Sequence, residues 1–151
     1  MVARTPATSN TIMTTPSRVK ERTPGKSAMC RVMLKSKIHR ATLTGKALDY
    51  EGSIALDLRL MEAADLLAGE QVHVLNVNTG ARLVTYVIEA PADSGTVMLN
   101  GPAARLGEVG DLVVILAYGH YEDAAARRLT PLIIHVNEHN LPLAPAVCPQ
   151  R

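Results

Sequence analysis

Asp111-Leu112-Val113-Val114-Ile115-Leu116-Ala117-Tyr118 is the stretch on which the fold turns. Its run of Val, Ile and Leu is apolar enough for a buried central strand and short for a helix. Working outward, Val72–Val77 and Ala81–Ala90 flank Asn78-Thr79-Gly80, which reads as a hairpin. Thr96–Leu99 is a further strand, stopped by Asn100-Gly101. Pro102–Leu106 opens a short helix, with Pro at a tolerated first position. Towards the N-terminus, Met33–Thr44 reads as a strand ended at Gly45, and Ser53–Asp57 as a short one. Leu58–Leu67 carries Leu58, Met61, Ala64 and Leu67 at helical spacing. On the other side, Glu122–Arg128 predicts a small helix and Pro131–Val136 a last strand. Six or seven short strands with interspersed helical turns predict a mainly β chain, closed into a small barrel with short helices. No internal repeat of fixed period is present.

The bulk numbers agree. A length of 151 residues suits one domain. Hydrophobic residues make up 47% and charged residues 20%, as in an ordinary soluble core, and that core is aliphatic because Trp and Phe are absent. No apolar run approaches the roughly 20 residues that span a bilayer, so no membrane partner is expected. Residues 1–32 hold six basic residues against the single acid Glu21, a net of +5, which leaves −3 for the remainder of a chain whose total is +2. The basic balance therefore belongs to the leader, and no nucleic-acid partner follows from it. That leader is rich in Thr, Pro and Ser and reads as a disordered N-terminal extension, with Met33 as the favoured true start. Residues 33–140 form one barrel domain, and residues 141–151, with Pro142, Pro145 and Pro149, a flexible C-terminal tail. Cys30 and Cys148 lie in opposite tails and make neither a metal pair nor a disulfide framework, which fits a reducing compartment.

The chemistry is suggested by Tyr50-Glu51-Gly52-Ser53. The Ser53 hydroxyl stands one residue from the Gly52 carbonyl, so its attack closes a five-membered ring and moves the acyl group from nitrogen to oxygen. The ester can then eliminate, leaving Ser53 as a pyruvoyl group. A planar, resonance-stabilised peptide bond resists such attack unless it is distorted and its developing oxyanion is stabilised. Gly52 permits backbone angles closed to other residues and clears the approach. A Gly-Ser pair alone is an ordinary turn; only its surroundings favour cleavage.

Those surroundings are Lys37-Ile38-His39-Arg40, Tyr50-Glu51-Gly52-Ser53, Asn76-Val77-Asn78-Thr79-Gly80-Ala81-Arg82, Thr85-Tyr86, Asn100-Gly101-Pro102-Ala103-Ala104 and Gly110-Asp111. In this order, over most of residues 33–136, they resemble the aspartate 1-decarboxylase family. The resemblance implies a double-psi β-barrel, a cytosolic homotetramer, cleavage between Gly52 and Ser53, and a covalent pyruvoyl cofactor derived from Ser53. It also implies decarboxylation of L-aspartate to β-alanine for pantothenate synthesis. The pyruvoyl ketone would hold the substrate amine as a Schiff base and act as an electron sink.

The resemblance assigns roles residue by residue. Thr85 matches the hydroxyl that supports self-cleavage and then contacts substrate. Tyr86 matches the proton donor, and a phenol is protonated at neutral pH. Arg82 matches the residue that grips a carboxylate, for which a planar guanidinium is suited. Lys37 and His39 match basic residues lining the same pocket, and Tyr50 a residue ahead of the cut that contacts substrate. Asn100 supports the site, and Gly101, Pro102 and Ala103 border it. Pro102 stands where family members commonly carry Ala, and it has no N–H to offer. Taken without that context, each of these residues has a structural role open to it: strand Thr, half-buried strand aromatic, solvated strand cation or turn. His135 and His139 could pair on a metal only on a helix, and Leu132–Val136 reads as a strand, so no metal is expected. The rival to the enzyme is an uncleaved, non-catalytic β-barrel binding module of the same fold. A serine hydrolase is disfavoured because no G-x-S-x-G elbow exists.

Overall fold

A computed structural model describes residues 29–143. In chain order the elements are β1 (Cys30–Thr42), β2 (Gly45–Ala47), β3 (Ser53–Asp57), α1 (Leu58–Ala63), β4 (Gln71–Asn76), β5 (Arg82–Ala90), β6 (Val97–Asn100), a 3-10 turn at Gly101–Arg105, β7 (Leu112–Glu122), α2 (Asp123–Ala126) and β8 (Leu132–His135). The chain is mainly β, as expected from its aliphatic, β-branched composition. Among the described residues, no helix is long and apolar enough to cross a membrane.

The strands hydrogen-bond in the order β2-β6-β3-β5-β4-β7-β1-β8. Antiparallel pairs (β1 with β7, β3 with β6, and β4 with both β5 and β7) mix with parallel ones (β1 with β8, β2 with β6, β3 with β5). Only Leu43 and Thr44 separate β1 from β2, although the two strands lie near opposite ends of that order. The backbone N–H of Leu43 donates to the Asp111 carbonyl and that of Thr44 to the Val97 carbonyl, each at 2.8 Å. One continuous length of chain thus joins the two ends, and the sheet closes as a barrel. Closure leaves few free edges and encloses a single core. Ile38, Leu43, Ile54, Leu56, Val72, Val74, Val87, Leu99 and Ile115 fill it, with Leu60 and Met61 from α1 closing one end.

Buried polar side chains fix the joints. Asn76 receives the backbone N–H groups of Asn78 (2.9 Å) and Thr79 (3.1 Å), shaping the β4–β5 hairpin, and donates to Asp111 Oδ2 at 2.7 Å. Asn140 binds Thr42 N and O and the Gly95 carbonyl, all within 2.9 Å. Asp57 caps α1 through Arg59 N–H (2.8 Å) and also takes Asp93 N–H (3.1 Å) and Gly95 N–H (2.7 Å). Such fully satisfied groups tolerate burial, since each lost water contact has a protein replacement.

Several expectations shift. The strand placed at Met33 begins at Cys30, so Cys30–Val32 belong to β1 and not to an extension; residues 1–28 lie outside the described residues. Leu58–Leu67 is helical only to Ala63, where Asp65 turns to positive φ (52°) and stops the helix. Asp111–Tyr118 is interior to the sheet, but only alternate residues face the core: Val113, Ile115 and Ala117 are buried, and Tyr118 is exposed. A strand in a barrel wall has one inner face, so an apolar run need not be buried on both. β2 was not anticipated. Of the tail, Leu141–Leu143 is tied back by a Val136–Pro142 bridge, and residues 144–151 lie outside the described residues.

Candidate active site

β3 begins at Ser53, whose Cα partner on β6 is Asn100. This pairing places the Asn100 amide beside the serine: Asn100 Nδ2 donates to Ser53 Oγ at 2.9 Å, with both residues buried. On the other side of β3 runs β5, parallel, with Ile54 opposite Val87, so Tyr86 lies next to the Gly52–Ser53 junction. Its Oη donates to the Gly52 carbonyl at 2.9 Å. Two side chains from the two neighbouring strands therefore bond to the two groups flanking one peptide bond.

That junction is conformationally unusual. Gly52 has φ +110° and Ser53 φ +140°. The first is open to glycine, whereas a serine in that region carries strain of about 1–3 kcal/mol, held in place only by its surroundings. Gly101, also at positive φ (62°), packs directly on the junction. A Cβ there would lie 2.6 Å from the Tyr50 carbonyl and 2.7 Å from both Gly52 N and Gly52 Cα. Glycine is required by close approach as well as by dihedral.

A cavity of about 360 Å³ opens over this junction, lined by Glu51, Gly52, Ser53, Leu83, Val84, Thr85, Tyr86, Asn100, Pro102, Ala103 and Leu106. The structure thus assembles Gly52, Ser53, Thr85, Tyr86, Asn100, Pro102 and Ala103 from three separate chain segments, with Gly101 as the floor. Arg82 is at the start of β5, exposed, and lines an adjoining cavity that shares Leu83 and Val84 with the first. Tyr50 is exposed and borders a shallow recess with Leu48, Asp49 and Glu51. Lys37 and His39 are not brought to the cavity. They sit on β1, separated from β5 by β4 and β7. Leu83, Val84 and Leu106 form apolar walls that sequence reading missed; the period-2 alternation of β5 around Thr85 and Tyr86 was the signal available.

The electrostatics divide in the same way. None of the described residues lining the cavity is a cation; Arg82 lines an adjoining cavity that shares Leu83 and Val84, and Arg105 another that shares Leu106. His39 has its pKa lowered by burial, then by the nearby charges of Lys37, His135 and Arg40. His135 lies in β8, and His139, beyond it, sits 3.5 Å from the Glu138 carboxylate. Among the described residues no group of three His, Cys, Asp or Glu is placed to hold a metal.

A family model described as aspartate decarboxylase matches residues 29–142. The chain belongs to the aspartate decarboxylase family. Curated relatives agree over nearly their whole length. Aspartate 1-decarboxylase 1 of Gloeobacter violaceus is 55% identical over 112 residues, 74% of this chain and 95% of that one. Aspartate 1-decarboxylase of Thermoanaerobacter pseudethanolicus is 50% identical, covering 76% and 98%. That of Dehalococcoides mccartyi is 56% identical, covering 72% and 87%. The crystal structure of a computationally designed protein, msDPBB_sym2, overlaps at TM-score 0.33 and 19% identity, covering 58% of this chain and 96% of the other, too slight a likeness to argue from. Membership in the decarboxylase family accords with the mainly β chain and its mixed parallel and antiparallel pairing.

Proposed function

We propose that this protein cuts its own chain between Gly52 and Ser53, converts Ser53 to a pyruvoyl group, and decarboxylates L-aspartate to β-alanine and CO2, feeding pantothenate synthesis. Family membership supports the reaction class. The observation that carries the mechanism is the junction itself: a strained, buried serine whose preceding carbonyl already holds a hydrogen bond, in the wall of a cavity.

Ser53 Oγ attacks the Gly52 carbonyl carbon, and the Ser53 nitrogen leaves as the acyl group passes to oxygen. Charge develops on the Gly52 oxygen, where the Tyr86 hydroxyl already donates; a preorganised donor at that point lowers the barrier. Asn100 occupies one acceptor site of Oγ and so orients the hydroxyl. Loss of the Ser53 α-proton then expels Gly52 as a carboxylate and splits the chain. The remaining enamine takes up water and releases ammonia, leaving the ketone. The residues fit such a group, because the Ser53 position faces the cavity.

In place, the pyruvoyl group supplies a conjugated carbonyl that takes up the electron pair freed as CO2 departs. The protein's own residues bind and orient. Arg82 pairs with a substrate carboxylate, bidentate by its geometry. Gly101 and Ala103 offer backbone N–H groups, and Pro102 offers only its carbonyl. Tyr86, once freed from the Gly52 carbonyl, returns a proton to the substrate carbon, while Leu83, Val84 and Leu106 exclude water. Lys37 and His39 lie away from the cavity of their own chain, and in this reading a second copy brings them to it, in a homotetramer with shared sites. The setting proposed is the cytoplasm.

Intact-mass analysis of purified protein tests this. Two fragments divided after Gly52 are expected, with the larger one inactivated by borohydride plus aspartate. Ser53→Ala stays whole and inactive. Tyr86→Phe still cleaves, about ten-fold more slowly for loss of one donor, but loses roughly 100-fold or more in decarboxylation. An uncleaved wild-type chain that turns over aspartate overturns the mechanism. An uncleaved, inactive one supports the binding-module alternative.

A further inference from the structure

His39 stands at a defect in β1. Ile38 pairs with Ile115 and Ala41 with Val113, so His39 and Arg40 together face one residue of β7, and Arg40 has φ +61°. This is a bulge, a device that re-aims a side chain at the cost of strain and is over-represented beside active sites. On the other side of β1 the pairing with β8 is regular and parallel, and it sets His39 directly against His135. The two rings meet edge to face, with centroids 5.4 Å apart and an interplanar angle of 78°. His39 Nδ1 is buried and has no hydrogen-bond partner among the described residues.

From these three features we propose that His135 is a positioning residue for His39: its ring clamps the His39 imidazole at the bulge and points the remaining nitrogen outward. The proposal rests on the reading of His39 as a substrate-site residue. An edge-to-face contact favours one ring orientation over the others. The clamp also has an electrostatic consequence. Burial, Lys37, His135 and Arg40 all disfavour a charged His39. Those three are the charged or titratable groups that face it from β1 and β8; on β7 the facing residues, Val113–Ile115, carry none. His39 therefore meets an anionic substrate as a hydrogen-bonding group, with Lys37 as the cation beside it.

The test uses the full chain with His135→Ala and His135→Phe, reading NMR titration of His39 alongside KM and kcat for aspartate. With Ala, KM rises about five-fold at nearly constant kcat, since one orienting contact is lost. Phe keeps a ring edge and restores KM to within about two-fold. The His39 midpoint rises in both variants, because a neighbouring positive charge is gone. An unmoved midpoint together with an unchanged KM in His135→Ala overturns the proposal, as does a KM defect that Phe fails to rescue. If His39→Ala leaves KM unchanged while the midpoint of His39 still responds to His135→Phe, the substrate-site role of His39 falls and the clamp stands.

Discussion

Gly101 shows how closely a single position can couple fold and chemistry. It is buried, at φ +62°, and its missing Cβ is what allows the Tyr50 carbonyl and the Gly52 backbone to lie against it. Gly101→Ala forces those atoms apart and adds the steric penalty of a left-handed residue, about 1–2 kcal/mol. Self-cleavage is expected to slow by at least ten-fold while the barrel still folds, because the displaced atoms belong to the junction proposed to be cut. Time-resolved intact mass, compared with a thermal melt, separates the two effects; cleavage at the wild-type rate would mean that the junction tolerates the shift. The sequence placed Gly101, Ser53 and Tyr86 in one candidate set, and the structure brings them together at one junction. The strain at Ser53 and Arg40 was not legible there, since neither residue type advertises positive φ.

At the scale of elements, the sequence placed the pieces better than their ends. Ser53–Asp57 was legible to the residue, because Gly52 and the helix cap at Asp57 bound it. The hairpin at Asn78-Thr79-Gly80 followed from turn chemistry, which Asn76 enforces by accepting two backbone N–H groups. β2 escaped notice because three residues paired in parallel with a distant strand carry no period of their own. Asp57 joins three elements: its carboxylate holds the end of β3, the start of α1 and the 93–95 turn with three N–H donors. Asp57→Ala leaves those donors without their partner, the buried Gly95 N–H among them, and is expected to cost about 2–4 kcal/mol. Urea unfolding in a Ser53→Ala background reads this without interference from cleavage. A loss below about 0.5 kcal/mol would show that water replaces the carboxylate.

For the whole molecule, the candidate site was legible as a set of residues but not as a place. Residue order could not show that Lys37 and His39 lie on β1, with β4 and β7 between them and the cavity wall at β5. Within one chain, Lys37 therefore does not meet the cavity that Tyr86 lines. Shared sites make a direct prediction. Lys37→Ala and Tyr86→Phe, each nearly inactive alone, should complement when co-expressed, because a mixed assembly holds sites that draw a sound Lys37 from one copy and a sound Tyr86 from another. Random mixing of equal amounts gives both sound residues to roughly a quarter of sites, and activity should recover to that fraction. Recovery should depend on both variants entering one assembly, so mixing the separately purified, already assembled proteins should restore little. Activity of the co-expressed pair no greater than the sum of the two alone would place both residues in one subunit's site, or remove Lys37 from the site altogether. Light scattering that finds a fully active monomer would exclude sharing by a different route.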